Sequence, residues 1–166
     1  MNLSSPEFIA VRLSLQVALT AVLISLPSAI AIGYVLAKFS FKGKFLLQNI
    51  IDLPLVLPPV VTGYFLLVLI GPKGPLGSIL ESTFHIRIAF TWIGAALASA
   101  IVSYPLMVRS IRSAFLSLDP RLELVSQSLG VTPWRTFLQI SLPLAGNGIC
   151  AGCLLAFARS IGEFGA

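Results

Sequence analysis

The amino-acid sequence predicts an all-α protein, a polytopic bundle of helices that cross a membrane. Of its 166 residues, 57% are hydrophobic and only 10% are charged, and the mean hydropathy is +0.97. Charged residues make up about a quarter of an ordinary soluble domain, so this composition excludes that class. Four long runs without a charged side chain then give the number of membrane helices.

These apolar runs span residues 13–37, 53–72, 88–108 and 136–158. Each approaches or exceeds the roughly 20 apolar residues that an α-helix needs to cross the hydrocarbon core. The last run begins inside a polar loop and is expected to enter the bilayer near Pro143. We therefore predict four spanning helices within a single membrane domain, residues 1–166.

The first run is predicted to be a retained membrane helix and not a cleaved signal peptide. It is longer than the core of a signal peptide, and Arg12 is the one basic residue before it. Basic residues instead follow it, at Lys38, Lys42 and Lys44.

A second group of basic residues follows the third run and comprises Arg109, Arg112, Arg121 and Arg135. The positive-inside rule places both groups on the cytoplasmic side of the cell membrane, with the N-terminus outside. The mixed segment 71–87, which contains His85, is consistent with the outer face. Topology thus accounts for the net charge of +5, and no nucleic-acid partner is expected.

Proline is concentrated inside the apolar runs. Pro27 is predicted to break the first helix, Pro54, Pro58 and Pro59 lie at the start of the second, and Pro105 lies in the third. Interrupted helices are common around translocation paths, which favours a transporter over a passive anchor. Tolerated kinks are the alternative for each proline taken singly.

The polar segment 119–143 predicts a helix, a glycine turn and a second helix. Asp119 can cap a helix that starts at Pro120 and runs to about Leu129. Gly130 ends it in the left-handed conformation. Thr132 and Pro133 repeat the cap-then-proline signal, and a second apolar face follows at Trp134, Phe137 and Leu138.

This segment resembles the cytoplasmic EAA loop of the permease subunits of ABC importers. The matching residues are Glu123, Gly130, Ile140, Leu142 and Pro143, with Val125 and Ser126 in the place of two alanines. The resemblance implies that the loop docks an ATP-binding subunit, and the docking candidates are Glu123, Val125, Ser126, Gly130, Thr132, Pro133 and Trp134.

The stretch 52–64, DLPLVLPPVVTGY, together with the final ARSIGEFGA, resembles the molybdate branch of these permeases. The resemblance implies a five-helix permease that forms a homodimer and conducts an oxyanion. Molybdate is the first candidate for this oxyanion, and tungstate or sulfate is the next. It also implies a cytoplasmic ATP-binding subunit, which would hold ATP and Mg, and an external oxyanion-binding protein. The chain stops at Ala166 with no basic anchor or polar tail after a membrane segment, so we expect it to be truncated at its C-terminus and to lack at least one further helix.

No Walker A pattern is present, so this chain is expected to be a transporter subunit that hydrolyses no ATP and binds no cofactor itself. Cys150 and Cys153 are expected to be buried, reduced and structural, because the pair lacks a partner His or Cys for a zinc site. We predict no metal site.

Candidates for the translocation path are Thr62, Gly63, Arg159 and Glu163. Arg159 and Glu163 lie four residues apart, on one helix face, where pairing lowers the cost of placing charge in a membrane. A structural pair, or an Arg159 side chain that reaches the interface, explains the same pattern and is favoured on the residues alone. The small residues around the pair, Ala156, Ala158, Ser160, Gly162 and Gly165, are predicted to serve packing.

Two other classes fit parts of this pattern. A secondary transporter also has broken helices, although it more often carries charged residues inside its spans. A membrane docking or assembly protein needs only the cytoplasmic loop. Transport that depends on ATP distinguishes the permease from both.

Overall fold

A computed structural model describes residues 5–71, 74–75, 77–78 and 90–162, and the regular structure in these ranges is helical. The first three helices are α1 (Ser5–Lys38), α2 (Lys44–Val56) and α3 (Pro59–Ile70). The fourth helix, α4 (Trp92–Leu116), lies in the last described range, residues 90–162.

The second half of the chain is more broken. It contains α5 (Pro120–Ser128), α6 (Pro133–Thr136), a π-helical turn (Phe137–Ser141), α7 (Leu142–Leu144) and α8 (Gly146–Gly162). The all-α prediction is confirmed for the described part of the chain.

Within the described ranges, two helices are long and apolar enough to cross a membrane unaided: Phe8–Lys38 and Trp92–Leu116. Two bent pairs, Lys44–Val56 with Val60–Ile70 and Pro133–Leu144 with Gly146–Gly162, raise the number to four if each pair is one span. The bends are 112° and 65° respectively. The four predicted runs thus correspond to two continuous helices and two broken ones.

The second run differs from the single span that the sequence suggested. Its helix breaks at Leu57 and Pro58, and a separate helix of 12 residues starts at Pro59. Pro58 and Pro59 have no N–H to continue the hydrogen-bond ladder of α2, so the chain leaves the helix there. At about 1.5 Å per residue, α3 alone is about 18 Å long, well short of a bilayer core of about 30 Å.

Pro27 does not break the first helix, so that prediction was wrong. α1 is one helix of 34 residues with Pro27 inside it, and α4 likewise continues through Pro105. Each proline removes one backbone hydrogen-bond donor, but the turns on either side keep their own hydrogen bonds. Packing against neighbouring helices also supports both helices.

The core lies where α1 and α4 pack along each other. Ser28 meets Tyr104, Gly33 meets Ile111 and Tyr34 meets Phe115, so residue numbers rise together and the two helices run parallel. Small residues of α1, Ala18, Ala21, Ser25, Ala29 and Gly33, are buried along the contact. Small side chains allow two membrane helices to approach closely.

α8 packs on α4 in the opposite direction, because Gly148 lies against Ala114 whereas Gly152 lies against Met107. The buried residues of α8 are Gly152, Ala156 and Ser160, at intervals of four. The predicted packing role is thus confirmed for Ala156 and Ser160, but Ala158 and Gly162 are exposed. Gly165 lies outside the described residues.

Candidate functional site: the coupling loop and the membrane path

The loop between α4 and α8 begins with a capped helix, as the sequence predicts. The backbone N–H of Arg121 donates to Asp119 Oδ1 at 2.9 Å, and Pro120 occupies the first turn of α5. The carboxylate satisfies a donor that the helix leaves unpaired. α5 ends at Ser128, one residue before the predicted end.

Gly130 makes the turn after α5 with φ +84°, in the left-handed region. Its N–H donates to the Gln127 carbonyl at 3.0 Å, and the N–H of Val131 donates to the Ser126 carbonyl at 3.2 Å. These two bonds are the pair that defines a Schellman motif, which satisfies the last carbonyls of a helix. The predicted glycine turn is therefore confirmed.

The second helix starts at Thr132 and Pro133, but its cap differs from the prediction. Thr132 occupies the N-cap position, yet its side chain accepts no hydrogen bond from the helix. The backbone alone closes the first turn, through the N–H of Thr136 and the Thr132 carbonyl at 2.9 Å.

A π turn at Phe137–Ser141 follows α6 and was not predicted. The N–H of Leu142 donates to the Phe137 carbonyl, five residues back. Pro143 has no N–H for the carbonyl four residues before it, so an ordinary ladder could not continue unbroken through this point.

The inward side of the loop is held by polar contacts. Ser126 Oγ and Thr136 Oγ1 lie 3.0 Å apart, and both residues are buried. Glu123 Oε1 lies 3.0 Å from Lys38 Nζ, at the end of α1, and accepts a hydrogen bond from Ser141 Oγ at 2.6 Å. Of the predicted docking residues, Glu123 therefore faces α1 of the protein's own bundle, and Ser126 faces the second helix of the loop.

The outward side of the loop is apolar. Val125 is 58% exposed, Leu129 79% and Trp134 68%. Gly130, Thr132 and Pro133, the other docking candidates, are also exposed. Large exposed apolar patches mark sites of contact with another protein or with a membrane. We call the surface formed by Leu124, Val125, Leu129 and Trp134 the outward patch.

The Trp134 side chain packs against another aromatic residue of the loop. Its ring stacks on Phe137 with centroids 5.6 Å apart and 26° between the planes. Phe137 in turn meets Tyr34 of α1 edge-on at 4.7 Å. A chain of aromatic contacts therefore runs from the outward patch to the first membrane helix.

The path candidates are scattered over the described part of the bundle. Thr62 is buried, and its hydroxyl lies 3.5 Å from the Pro58 carbonyl, beside the break between α2 and α3. Gly63 lines an apolar cavity of about 330 Å³ between α3 and α4. Arg159 is half-buried on α8, and Glu163 lies outside the described residues. No described cavity brings Thr62 or Gly63 together with Arg159.

A more polar groove, of about 680 Å³, lies between α4 and α8. Its polar side chains are Arg109, Ser110, Ser113, Ser117 and Asn147. Ser110 donates to the Gly148 carbonyl at 2.9 Å and so also joins the two helices. Sequence reasoning missed this groove, although serines three, four and seven residues apart share a helix face and were the available signal.

Cys150 and Cys153 are both free thiols, as expected, but Cys150 is exposed and Cys153 is only half-buried, so the expected burial was wrong for Cys150. Within the described ranges, no three His, Cys, Asp or Glu side chains are grouped to hold a metal ion.

Together, the long apolar helices and the polar loop with exposed apolar side chains are consistent with a multi-pass membrane protein. The chain matches the model of the family described as "binding-protein-dependent transport system inner membrane component" over residues 29–166. It belongs to that family, and is thus a permease component of the inner membrane.

Curated relatives agree. The molybdenum transport system permease protein ModB of Escherichia coli is 52% identical over 166 residues, which is all of this chain and 72% of that protein. ModB of Haemophilus influenzae is 49% identical over 160 residues, 96% of this chain and 70% of that protein. The molybdate/tungstate transport system permease protein WtpB of Pyrococcus abyssi is 41% identical over 157 residues, 95% of this chain and 58% of that protein.

Proposed function

We propose that this chain forms the oxyanion path of an ABC importer and couples it to ATP hydrolysis by a separate subunit. Molybdate is the first candidate for the substrate, with tungstate and sulfate next. The names of the relatives support this class of substrate. The observation that carries the coupling role is the outward patch, because apolar side chains at a polar loop need a partner that covers them.

In this proposal a cytoplasmic ATP-binding subunit, which carries ATP and Mg, covers the outward patch. Val125, Gly130, Thr132, Pro133 and Trp134 contact the partner. Glu123 and Ser126 contribute indirectly, because Glu123 holds the loop to α1 and Ser126 holds the two helices of the loop together. Large aromatic side chains contribute most to such contacts, so Trp134 is the expected hot spot.

The proposed assembly is a homodimer of permeases that receives its substrate from an external binding protein. The family description supports a binding-protein partner. The N-terminus lies outside the cell. The Lys38–Glu123 contact supports this topology, because it brings the basic region after α1 and the loop 119–143 to the same end of the bundle.

For the path itself, the groove between α4 and α8 is a stronger candidate than Thr62 and Gly63. Hydroxyl and amide groups of Ser113 and Asn147 can donate hydrogen bonds to an oxyanion, whereas the cavity at Gly63 is apolar. Arg159 and Glu163 remain candidates at the end of α8.

The test is co-purification of the full-length permease with its ATP-binding subunit in detergent. Val125→Glu and Trp134→Ala remove apolar surface from the outward patch, and each is expected to weaken binding at least about tenfold, as loss of a hot spot does. Gln127→Glu is the matched control, because Gln127 is exposed on the same helix but is not in the patch. Binding that is equal in all three variants contradicts the proposal.

ATP-dependent uptake of molybdate in vesicles tests the second part of the proposal, which is transport of the oxyanion. A permease of this class transports only when ATP and the ATP-binding subunit are present. Uptake without ATP identifies a secondary transporter, and co-purification without any uptake identifies a docking protein.

A further inference from the structure

The carboxylate of Glu123 joins three segments of the chain at one point. Its Oε1 atom lies 3.0 Å from Lys38 Nζ, the last residue of α1, and 2.6 Å from Ser141 Oγ, the last residue of the π turn. The side chains of Lys38 and Glu123 are 16% and 17% exposed. Such a pair is screened by water less than a surface ion pair is.

Lys38 is also well placed for a cation. It lies in the last turn of α1, where the carbonyl end of the helix dipole favours positive charge. The two neighbouring lysines are arranged differently: Lys44 Nζ donates to the Phe39 carbonyl at 3.0 Å, and Lys42 is exposed. Lys38 is therefore the member of this basic group that reaches the loop.

The other main packing contacts of α5 are with the rest of the loop and not with α1. α5 packs against α6 and the π turn, whereas α1 packs against α4 and α8. The neighbours of Glu123 on α5, Leu122 and Leu124, are exposed. The ion pair thus connects α5, which bears most of the outward patch, to α1, which forms one side of the core.

We infer that Glu123 is a positioning residue that, with Lys38 and Ser141, fastens the loop to α1, so that a displacement of the loop moves α1 together with α4. The inference rests on the proposed function, since the displacement comes from the ATP-binding subunit. It adds that Glu123 acts from the inner side of the loop and not through the contact surface. Movement of packed, rigid elements is the usual way in which such a displacement spreads.

The experiment uses the full-length permease reconstituted in vesicles with the ATP-binding subunit and the binding protein, and molybdate as the probe. Two quantities are measured in each variant: molybdate accumulated per ATP hydrolysed, and retention of the ATP-binding subunit on the purified permease. Glu123→Gln keeps the size of the side chain and an acceptor for Ser141, but removes the charge. Glu123→Lys, Lys38→Glu and the exchanged pair complete the series.

We expect Glu123→Gln and both single charge reversals to lower the transport ratio by about fivefold or more, the lower range of coupling between sites. Retention of the ATP-binding subunit is expected to be unchanged. The exchanged pair, Lys38→Glu with Glu123→Lys, restores most of the ratio. Lys42→Glu is the matched control, since it changes the same charge in the same basic group without a contact to Glu123.

Three results overturn the inference: an unchanged ratio in Glu123→Gln, loss of the ATP-binding subunit in that variant, or single reversals that the exchanged pair does not rescue. If a charge-reversed variant of the permease is not produced as folded protein, the transport ratio of Glu123→Gln tests the inference by itself. Failure of the proposed function is recognised separately, because the unaltered permease then shows no ATP-dependent uptake.

Discussion

Asp52 and Arg109 form a two-contact ion pair that joins α2 to α4. Arg109 Nε donates to Asp52 Oδ1 at 2.9 Å, and its Nη2 lies 2.8 Å from Oδ2. The planar guanidinium matches both oxygens of a carboxylate, which a lysine cannot do. The pair holds α2 against the bundle although the helix ends only a few residues later at the break before Pro58.

Asp52→Asn and Arg109→Lys are each expected to lower stability by about 1 kcal/mol, because the arginine is exposed and partly screened. Unfolding in detergent measures this, with the double variant Asp52→Asn, Arg109→Lys completing a double-mutant cycle. A cycle in which the two single effects simply add shows that the pair contributes no joint stabilisation.

Substitution of Gly33 or Gly148 by a larger residue is expected to destabilise the protein. A Cβ on Gly33 would lie 2.8 Å from Ile111 Cγ2, and one on Gly148 would collide with Ala114 Cβ. Gly33→Val and Gly148→Val should lower stability by about 1–3 kcal/mol, as overpacking does. Gly146→Ala is the control, because a Cβ there meets nothing within 4 Å. Equal melting temperatures for all three would contradict the close approach of α4 to α1 and α8.

Ser126 and Thr136 brace the two helices of the loop against each other. Thr136→Val leaves the buried hydroxyl of Ser126 without this partner, which should lower stability by about 1–3 kcal/mol. The double variant Ser126→Ala, Thr136→Val removes both polar groups and should be less harmful than the sum of the two single changes. Proteolysis within the loop gives a local measure of the same effect.

Gly130 should tolerate asparagine far better than valine. A Cβ there meets nothing within 4 Å, so the constraint is the positive φ alone. Asparagine adopts that conformation readily, whereas a β-branched residue is strained by about 1–3 kcal/mol. Gly130→Val should therefore weaken co-purification of the ATP-binding subunit, and Gly130→Asn should retain it. Identical behaviour of the two variants argues against a conformational role.

The proposed topology predicts which thiols an impermeant reagent reaches. In a background with Cys150 and Cys153 replaced by alanine, Lys42→Cys should be labelled only after the membrane is opened. Ser82→Cys, in the segment that the charge pattern assigns to the outer face, should be labelled in intact cells. The reverse pattern would place the N-terminus in the cytoplasm.

Local signals in the sequence were sufficient for the first helix of the loop and for its glycine turn, but not for the cap at Thr132 or the π turn. Asp119, Pro120 and Gly130 act through their own backbone and nearest neighbours, so their effect is independent of the rest of the fold. The burial of Glu123 was not predictable in this way. It depends on Lys38, which is distant in sequence and arrives through the packing of α1 beside α4.

The prolines show the same distinction. Pro58 and Pro59 together end a helix, but Pro27 and Pro105 remain inside continuous helices that neighbours support. Proline removes a donor in every case, and tertiary packing decides whether the helix continues. The groove between α4 and α8 also depends on how two helices cross, which no single segment of sequence specifies.

The π turn at Phe137–Ser141 contains one more residue per turn than an α-helix does. One residue corresponds to a rotation of about 100° around a helix axis. Deletion of a single residue here would turn α6 about its axis relative to α8, so that the exposed Trp134 ring would face a different direction relative to the bundle. The extra residue therefore sets the direction in which Trp134, and with it the proposed docking surface, faces.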